Sequence, residues 1–436
     1  MKFYNREKEI QLLKKIEILS KTAAQLTFVT GRRRVGKTAL LHQSFDGQQY
    51  LYFFIAKKNE TLLCEELTET IKQALQIEQL ETFRSFPKLF GYLMELSKER
   101  HFTLIIDEFQ EFYSVNPSVF SDMQNLWDRY KAKSHINLIC CGSVYTLMSK
   151  IFTDRKEPLY GRANHHLKVE PFNVKTQAEI LYDYNKNYTA DDLLTLYILT
   201  GGIPKYLELF ITVEPLDKEG MLNHFFSYNS IFLEEGKNLL VDEFGKDYGN
   251  YFSILSLIAG SKTSRPEIES VLNISVGGYL DKLEEDFQLI SKTRPIFAAP
   301  GSRAIKYHIK DNFLNFWFRF VYKYKSAVEI NNLSYILQIV NRDFDTFSGK
   351  LLEKYFIDKL KISEKYSEIG TYWESGNQNE IDIVAMNSLE KRIDFYEVKR
   401  QKQALRLQLL EKKAEKIVQK FPDYSFGYYG LSLEDM

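Results

Sequence analysis

Residues 7–20 place Ile10, Leu13, Ile16 and Leu19 on one helical face, with Lys and Glu on the other. The period then changes. Gln25–Thr30 and residues 50–55, 103–106 and 137–141 are short apolar runs separated by helical patterns, with 167–169 as a fifth candidate. Continuous apolar runs of this length read as strands of a parallel sheet buried on both faces. Residues 1–172 are therefore expected to form one α/β domain. From 173 to 240 the pattern is helical, interrupted at Gly201-Gly202-Ile203-Pro204, where one helix stops and another starts. Residues 241–312 read as short helices followed by a hairpin, 288–293 and 305–309, turning at Pro300-Gly301. Residues 313–347 are helical and strongly aromatic (Phe313, Phe316, Trp317, Phe318, Phe320) and are expected to form a connector. Residues 348–436 read as a helix, strands at 368–373, 380–386 and 392–398, a long basic helix and a last strand near 426–429. No internal repeat or low-complexity segment interrupts this order.

Composition narrows the classes. Lys+Arg and Asp+Glu are 58 each in 436 residues, so no basic field covers the whole chain, and nucleic acid could be met only by a local patch. With 44% hydrophobic and 27% charged residues the chain is globular rather than disordered. Cys64, Cys140 and Cys141 are too few for a disulfide framework or a four-Cys zinc site. No stretch approaches the roughly 20 apolar residues of a membrane helix. The first residues are charged and show no apolar signal core, so a cytoplasmic location is expected.

Gly31-Arg32-Arg33-Arg34-Val35-Gly36-Lys37-Thr38 fits G-x-x-x-x-G-K-[ST] between a predicted strand and a predicted helix, the context the motif requires. Its glycines let the backbone N–H groups form a nest around phosphates, and the helix that follows adds its dipole. Candidate ATP contacts run from Gly31 through Ala39. Lys37 would carry the charge on the β- and γ-phosphates, and the Thr38 hydroxyl would bind Mg²⁺. Arg32, Arg33 and Arg34 would contact phosphate or remain solvated. The run 103–106 ends in Asp107-Glu108. Asp107 is the candidate second Mg²⁺ group, and Glu108 the base that polarises the attacking water.

These segments resemble Walker A and Walker B of an AAA-type ATPase of the additional-strand class. Phe3-Tyr4-Asn5-Arg6-Glu7-Lys8-Glu9 is similar to the F-x-[ND]-R-E-x-E box of that group, which implies that Arg6 lies near the adenine. Cys141-Gly142-Ser143 resembles a sensor-1 segment, implying that Ser143 faces the γ-phosphate; a strand-end cap is the plainer alternative. Leu159-Tyr160-Gly161-Arg162 resembles the L-Y-G-R motif, implying that Arg162 is a γ-phosphate sensor or finger; a surface ion-pair partner is the alternative. Gly202-Ile203-Pro204 resembles the G-x-P signature of the STAND branch, with Pro204 at the lid near the base. The resemblance covers residues 1–235 and is ordered as in the prokaryotic, archaeal-type ATPases. It implies a P-loop NTPase core with a parallel sheet and helical lid, and ATP with Mg²⁺ as cofactors. A finger acting in trans would require a homo-oligomer; a sensor acting in cis would not.

After the lid, Ser264-Arg265-Pro266-Glu267 opens a helix, residues 276–287 form a second, and the hairpin follows. Helix, turn, helix and wing suit DNA reading, and a winged helix is what the resemblance implies here. The second helix carries Asp281, Glu284, Glu285 and Asp286 against Lys282, a poor face for phosphates, so a packing module is the favoured reading. Arg294 and Arg303 in the wing keep DNA open.

At the C-terminus, alternation puts Glu380 and Asp382 on one face of a strand, and Glu397 and Lys399 on one face of the next. Carboxylates so placed can hold Mg²⁺, and a Lys can orient water. With Glu353 on the preceding helix the order resembles the PD-(D/E)xK nuclease fold, a restriction-endonuclease-like α/β domain. The resemblance implies that Asp382 and Glu397 are metal ligands, Lys399 the catalytic lysine and Glu353 an auxiliary acid. Ile381 stands where the fold usually has Pro. Residues 391–420 hold ten Lys/Arg and four acids, which suits DNA or RNA or a solvated helix face. Two functions remain: an ATPase coupled to a nucleic-acid-binding or nuclease-like domain, and a STAND-like ATP-dependent switch whose C-terminal domain binds a partner without cutting.

Overall fold

The computed structural model describes residues 1–436 apart from 245–247, 300, 375 and 377. Tyr4–Pro171 form one compact unit, and Met1–Phe3 with Phe172–Met436 form the other.

In the first unit β1 (Gln25–Thr30), β2 (Tyr50–Phe54), β3 (Phe102–Asp107), β4 (Ile136–Cys141) and β5 (His165–Lys168) form one sheet in the order β2-β3-β4-β1-β5. All its pairings are parallel. β4 is inserted between the strand that leads into the phosphate loop and the strand that ends in Asp107. Every residue of β3 and β4 is buried, which is why both read as unbroken apolar runs. β5 starts two residues before the run expected at 167–169. It is an edge strand in which only Leu167 is buried, so its polar positions hide it from an apolar pattern. Under the sheet, Phe28, Phe86, Phe90, Phe109, Phe112, Phe120 and Phe152 belong to one buried cluster. His166 stacks on Phe28 with centroids 4.1 Å apart and meets the Thr30 hydroxyl at 2.8 Å, a packing role.

The second unit begins with helices Val174–Tyr184, Ala190–Thr200, Pro204–Phe210, Lys218–Phe225 and Ile231–Phe244. Thr189 and Asp192 form a capping box at the start of the second, and Gly201 ends it at φ 56°. The aromatic stretch expected as a connector is instead part of this core. Phe313, Phe316, Phe318 and Phe320 are fully buried and Trp317 nearly so, because residues 317–321 form a π-helical turn that spreads them over several faces. Tyr206 meets Phe313 at 4.7 Å between centroids, and Phe225 meets Phe316 at 5.0 Å. The Trp317 indole donates to Leu233 O at 2.9 Å and lies against Gly236, where a Cβ would stand 2.2 Å from the ring. Burial of each such ring is worth about 2–3 kcal/mol, and that gain draws the segment inward.

Helices Tyr248–Ala259, Arg265–Leu272 and Gly277–Glu285 precede an antiparallel hairpin, β6 (Ile290–Thr293) and β7 (Lys306–Ile309). The expected helix 276–287 is shorter at both ends, and Gln288 turns at φ 53°. Leu333–Ile362 is one 30-residue helix, so the boundary expected at 347/348 falls inside it. The chain closes with a sheet of order β11-β10-β9-β8: β8 (Glu368–Tyr372), β9 (Ile381–Asn387), β10 (Arg392–Val398) and β11 (Ser425–Leu431). β10 and β11 run parallel, joined by helix Leu407–Lys420, whose Leu410, Ala414 and Ile417 cover Ile393 and Phe395.

Candidate active site

β1 delivers the chain into the phosphate loop. Gly31 takes φ 154°, and a Cβ there would stand 2.6 Å from Val169 O, so only glycine fits. Gly36, at φ 87°, caps helix Lys37–Ser44, and fully buried Val35 anchors the loop between them. The Lys37 ammonium donates to Gly31 O at 2.8 Å and Arg32 O at 3.1 Å, so its charge sits inside the loop. Arg6 reaches the same loop, donating to Val35 O at 3.4 Å and pairing with Glu9 at 3.0 Å. Of the remaining loop positions, Arg33 and Ala39 are exposed, while Arg32 and Arg34 are half-buried.

The ends of β3 and β4 supply the acids and their partners. Thr38 Oγ1 donates to Asp107 Oδ2 at 2.8 Å. The Tyr52 hydroxyl donates to the same oxygen at 2.8 Å, and burial together with Asp107 raises its pKa. Glu108 adopts φ 53°. Its Oε2 accepts from Ser143 Oγ at 2.8 Å and from Gln110 Nε2 at 2.5 Å. Gly142 lies close beside Gln110 and Met148: a Cβ would stand 2.2 Å from Gln110 Oε1 and 2.5 Å from Met148 Sδ, so a larger residue would displace both side chains. Cys141 is buried, and burial and Asp107 push its thiol well above its ordinary value, so it packs as a neutral group.

The structure therefore brings Lys37, Thr38, Asp107, Glu108, Ser143 and Arg6 together around one loop. Sequence reasoning missed Tyr52, Gln110 and Gly142. The alternation Tyr50, Tyr52, Phe54 in β2 was the available signal for Tyr52, but its use requires knowing that β2 lies beside β3. The Arg162 guanidinium is taken up by Asp128 at 3.1 Å and by Tyr160 O at 2.9 Å. Pro204 lies in the other unit, where it starts a helix next to Gly202, whose carbonyl accepts from Phe172 N at 2.8 Å.

The residues present fit Mg²⁺–ATP. The loop is built of backbone donors and a lysine for phosphate, and Thr38 with Asp107 offers the hard oxygen ligands that Mg²⁺ takes.

A second constellation lies in the C-terminal sheet. β9 and β10 pair antiparallel with Ile383 opposite Tyr396, which sets Asp382 opposite Glu397. Asp382 Oδ2 accepts from Val398 N at 2.8 Å and Lys399 Nζ at 3.2 Å, and Lys399 lies 3.9 Å from Glu397. Glu397, itself buried, accepts from Arg406 N at the start of helix Leu407–Lys420. Glu353 pairs with Lys350 at 3.1 Å. Burial pushes its carboxyl up to about 7; Lys350 pulls it back and Asp382 adds to the rise. Among the described residues no group of three His, Cys, Asp or Glu side chains is spaced to hold a metal. The carboxylates of Asp382 and Glu397 stand opposite each other as a pair.

Arg400, next to Lys399, is tied to the helical region. It donates to Ser348 Oγ and Asp191, both at 2.7 Å, and pairs with Asp345 at 3.0 Å. Against burial, Lys218 and Arg400 hold the Asp191 carboxyl below its usual range.

Residues 3–210 match the model of an ATPase domain predominantly from Archaea. Over these residues the chain is similar to archaeal-type ATPase domains. The domain is an ATP-binding ATPase, and residues 317–417 match a second model, described as Archaea bacterial proteins of unknown function. An uncharacterized protein of Methanocaldococcus jannaschii is 28% identical over 410 residues, covering 91% of this chain and 87% of its own. In fold the chain is similar to the Walker-type ATPase of Pyrococcus abyssi, with TM-score 0.55, 20% identity, and 72% of this chain and 96% of that one covered. It is also similar to the Aeropyrum pernix ORC2 protein in its ADPNP–ADP complexes, with TM-score 0.50, 12% identity, and coverage of 78% and 95%. Beyond the ATPase domain, no helix among the described residues is long and apolar enough to cross a membrane.

Proposed function

We propose that this chain is a Mg²⁺-dependent ATPase whose nucleotide cycle acts on a nucleic-acid-binding, nuclease-like C-terminal domain. Bound Mg²⁺–ATP would supply the phosphoanhydride and the cation that neutralises its charge. In this reading Lys37 turns from its loop carbonyls to the β- and γ-phosphate oxygens. Thr38 and Asp107 give up their mutual hydrogen bond to hold the cation and its waters. Glu108 accepts the proton of the attacking water. Ser143 and Gln110 donate to Glu108, so they set its orientation and its basicity until water arrives. Arg6 braces the loop, Pro204 belongs to the lid, and Arg162 is the candidate sensor once its ion pair with Asp128 opens. That pair is partly exposed and worth at most about 1 kcal/mol.

The observation that carries the coupled reading is Arg400. It joins the lysine-bearing end of β10 to Asp191 in the lid, a residue inside the ATPase-domain match. A lid that moves with nucleotide would move Arg400, and with it Lys399. The helix–turn–helix and hairpin of 248–309 form a winged helix in this reading. Asp382 and Glu397 act as the cation ligands, Lys399 as the group that orients water, and Glu353 as an auxiliary acid. The test is Mg²⁺- or Mn²⁺-dependent cleavage of DNA and RNA, with and without ATP. Asp382→Ala and Lys399→Ala are each expected to abolish cleavage while ATP turnover continues. Cleavage that survives both substitutions refutes the assignment. A wild type that cuts nothing favours the second reading, a STAND-like switch. The 3.2 Å Lys399–Asp382 ion pair supports that alternative, because it neutralises the carboxylate without a metal.

A further inference from the structure

The β6–β7 hairpin and the C-terminal sheet enclose a cleft of about 1260 Å³. Its base is built where the chain leaves β6. Ile296 N donates to Thr371 O at 2.8 Å, and the Ile296 side chain packs over Gly370, where a Cβ would stand only 3.2 Å away. The two walls are basic. Lys292, Arg303 and Lys306 come from the hairpin; Lys416 and Lys420, one turn apart on one face of helix Leu407–Lys420, come from the other side. With Arg265 the lining holds, among the described residues, six cations against three acids, Glu267, Asp281 and Glu374. Glu374 pairs with Lys416, and Lys292 and Lys306 meet Glu284 and Glu380 at the edge, so the excess of positive charge rests chiefly on Arg303 and Lys420. In a chain with 58 cations and 58 anions this is a local concentration of positive charge.

Aromatic rings interleave with these cations. Lys306 Nζ lies 4.5 Å from the Trp373 ring centre, Tyr372 is its neighbour on β8, and Lys420 Nζ donates to Phe297 O at 2.9 Å. One side of the cleft leads to the second constellation. Lys306 pairs with Glu380 at 3.5 Å, Glu380 with Lys350 at 3.3 Å, and Lys350 with Glu353 at 3.1 Å. Glu380 is two residues before Asp382 and shares its face.

We propose that this cleft binds a single polynucleotide strand and leads it to Asp382, Glu397 and Lys399, with the hairpin as its outer wall. The inference rests on the nuclease-like reading above and adds which surface holds the substrate and in which form. Cations along both walls track the phosphates, and the half-buried Phe297 and Tyr372 rings meet base faces that a duplex keeps stacked, with buried Trp373 as the support beneath Lys306. The element that would enter a duplex groove, helix Gly277–Glu285, instead presents Asp281, Glu284 and Glu285 against Lys282. DNA and RNA strands offer the same phosphate and base chemistry, and the test separates them.

The test is fluorescence anisotropy of labelled oligothymidylate, oligouridylate and a duplex of mixed sequence, with full-length Asp382→Ala protein so that nothing is cut. Arg303→Glu/Lys420→Glu is then added; both side chains are exposed, and near-ultraviolet circular dichroism of the aromatic core of their own unit reports folding. Single strands are expected to bind more tightly than duplex. The double charge reversal is expected to weaken them roughly tenfold or more and to lower the salt slope by about 1.4, the value for two lost phosphate contacts. Tighter oligothymidylate binding makes the strand DNA; tighter oligouridylate binding makes it RNA. Unchanged affinity in the charge-reversed protein overturns the cleft and leaves the nuclease-like reading standing. Tighter duplex binding overturns the single-strand form. No binding to any oligonucleotide overturns both the cleft and the reading on which it rests.

Discussion

Glu108→Gln is expected to lower ATP turnover by about 10²- to 10⁴-fold while ATP still binds. The substitution is nearly isosteric. The amide oxygen can still accept from Ser143 Oγ, which lies 2.8 Å from the carboxylate, so the turn at the end of β3 is retained. What is lost is the ability to take a proton from water. Lys37 and the loop from Gly31 to Thr38 are untouched, so affinity should stay within a few-fold of wild type. Steady-state phosphate release and calorimetry separate the two effects. Turnover at the wild-type rate would remove Glu108 from the role of base and leave it as a turn residue with an unusual φ.

Asp107→Ala is expected to cost about 10²- to 10³-fold in turnover, the scale of losing one preorganised electrostatic group at the reacting phosphate. The Mg²⁺ concentration needed for half-maximal rate should rise as well. Two hydroxyls, of Thr38 and Tyr52, converge on Asp107 Oδ2, so truncation also leaves polar groups without their acceptor. Each such loss costs about 1–3 kcal/mol of stability when buried. Asp107→Asn separates the contributions, since it keeps an oxygen for one hydroxyl and removes the charge. Phosphate release titrated with Mg²⁺ in all three proteins is the check. Wild-type Mg²⁺ dependence in Asp107→Asn would contradict the cation role.

The phosphate loop was legible in the sequence because its chemistry demands residue types at fixed spacing. Gly31 cannot be anything larger beside Val169 O, and Lys37 and Thr38 follow from the need for charge and a hydroxyl. β3 and β4 were legible because burial on both faces makes them continuously apolar. The parts that were hidden depend on who neighbours whom. Tyr52 reads as one more aromatic until β2 is placed beside β3, and Gln110 and Gly142 meet only because β3 and β4 end side by side. The aromatic stretch after residue 312 looked like a connector, since periodicity does not report that a π-helical turn will send Phe316, Trp317 and Phe320 to different parts of one core. The boundary expected at 347/348 failed for a related reason. Helix Leu333–Ile362 is long enough to belong to the aromatic core at one end and to the C-terminal sheet at the other, and it runs through Gly349, whose cost of about 1 kcal/mol is small beside the burial of Leu351, Leu352, Tyr355 and Phe356. Period-two alternation placed Glu380 with Asp382 and Glu397 with Lys399 on common strand faces, but Arg400, which joins the end of β10 to helix Ala190–Thr200, carries no such signature.

The central claim is that ATP is held by the loop from Gly31 to Thr38 with Lys37 as its charged contact. Calorimetric titration of ATP with Mg²⁺ into wild type and Lys37→Ala tests it most directly. The Lys37 contribution to phosphate is on the scale of a charge-assisted hydrogen bond, about 1.5–3 kcal/mol. The variant is therefore expected to lose affinity by roughly ten- to a hundredfold or more. Equal affinity in the two proteins would contradict the account, because it would place the nucleotide away from this loop.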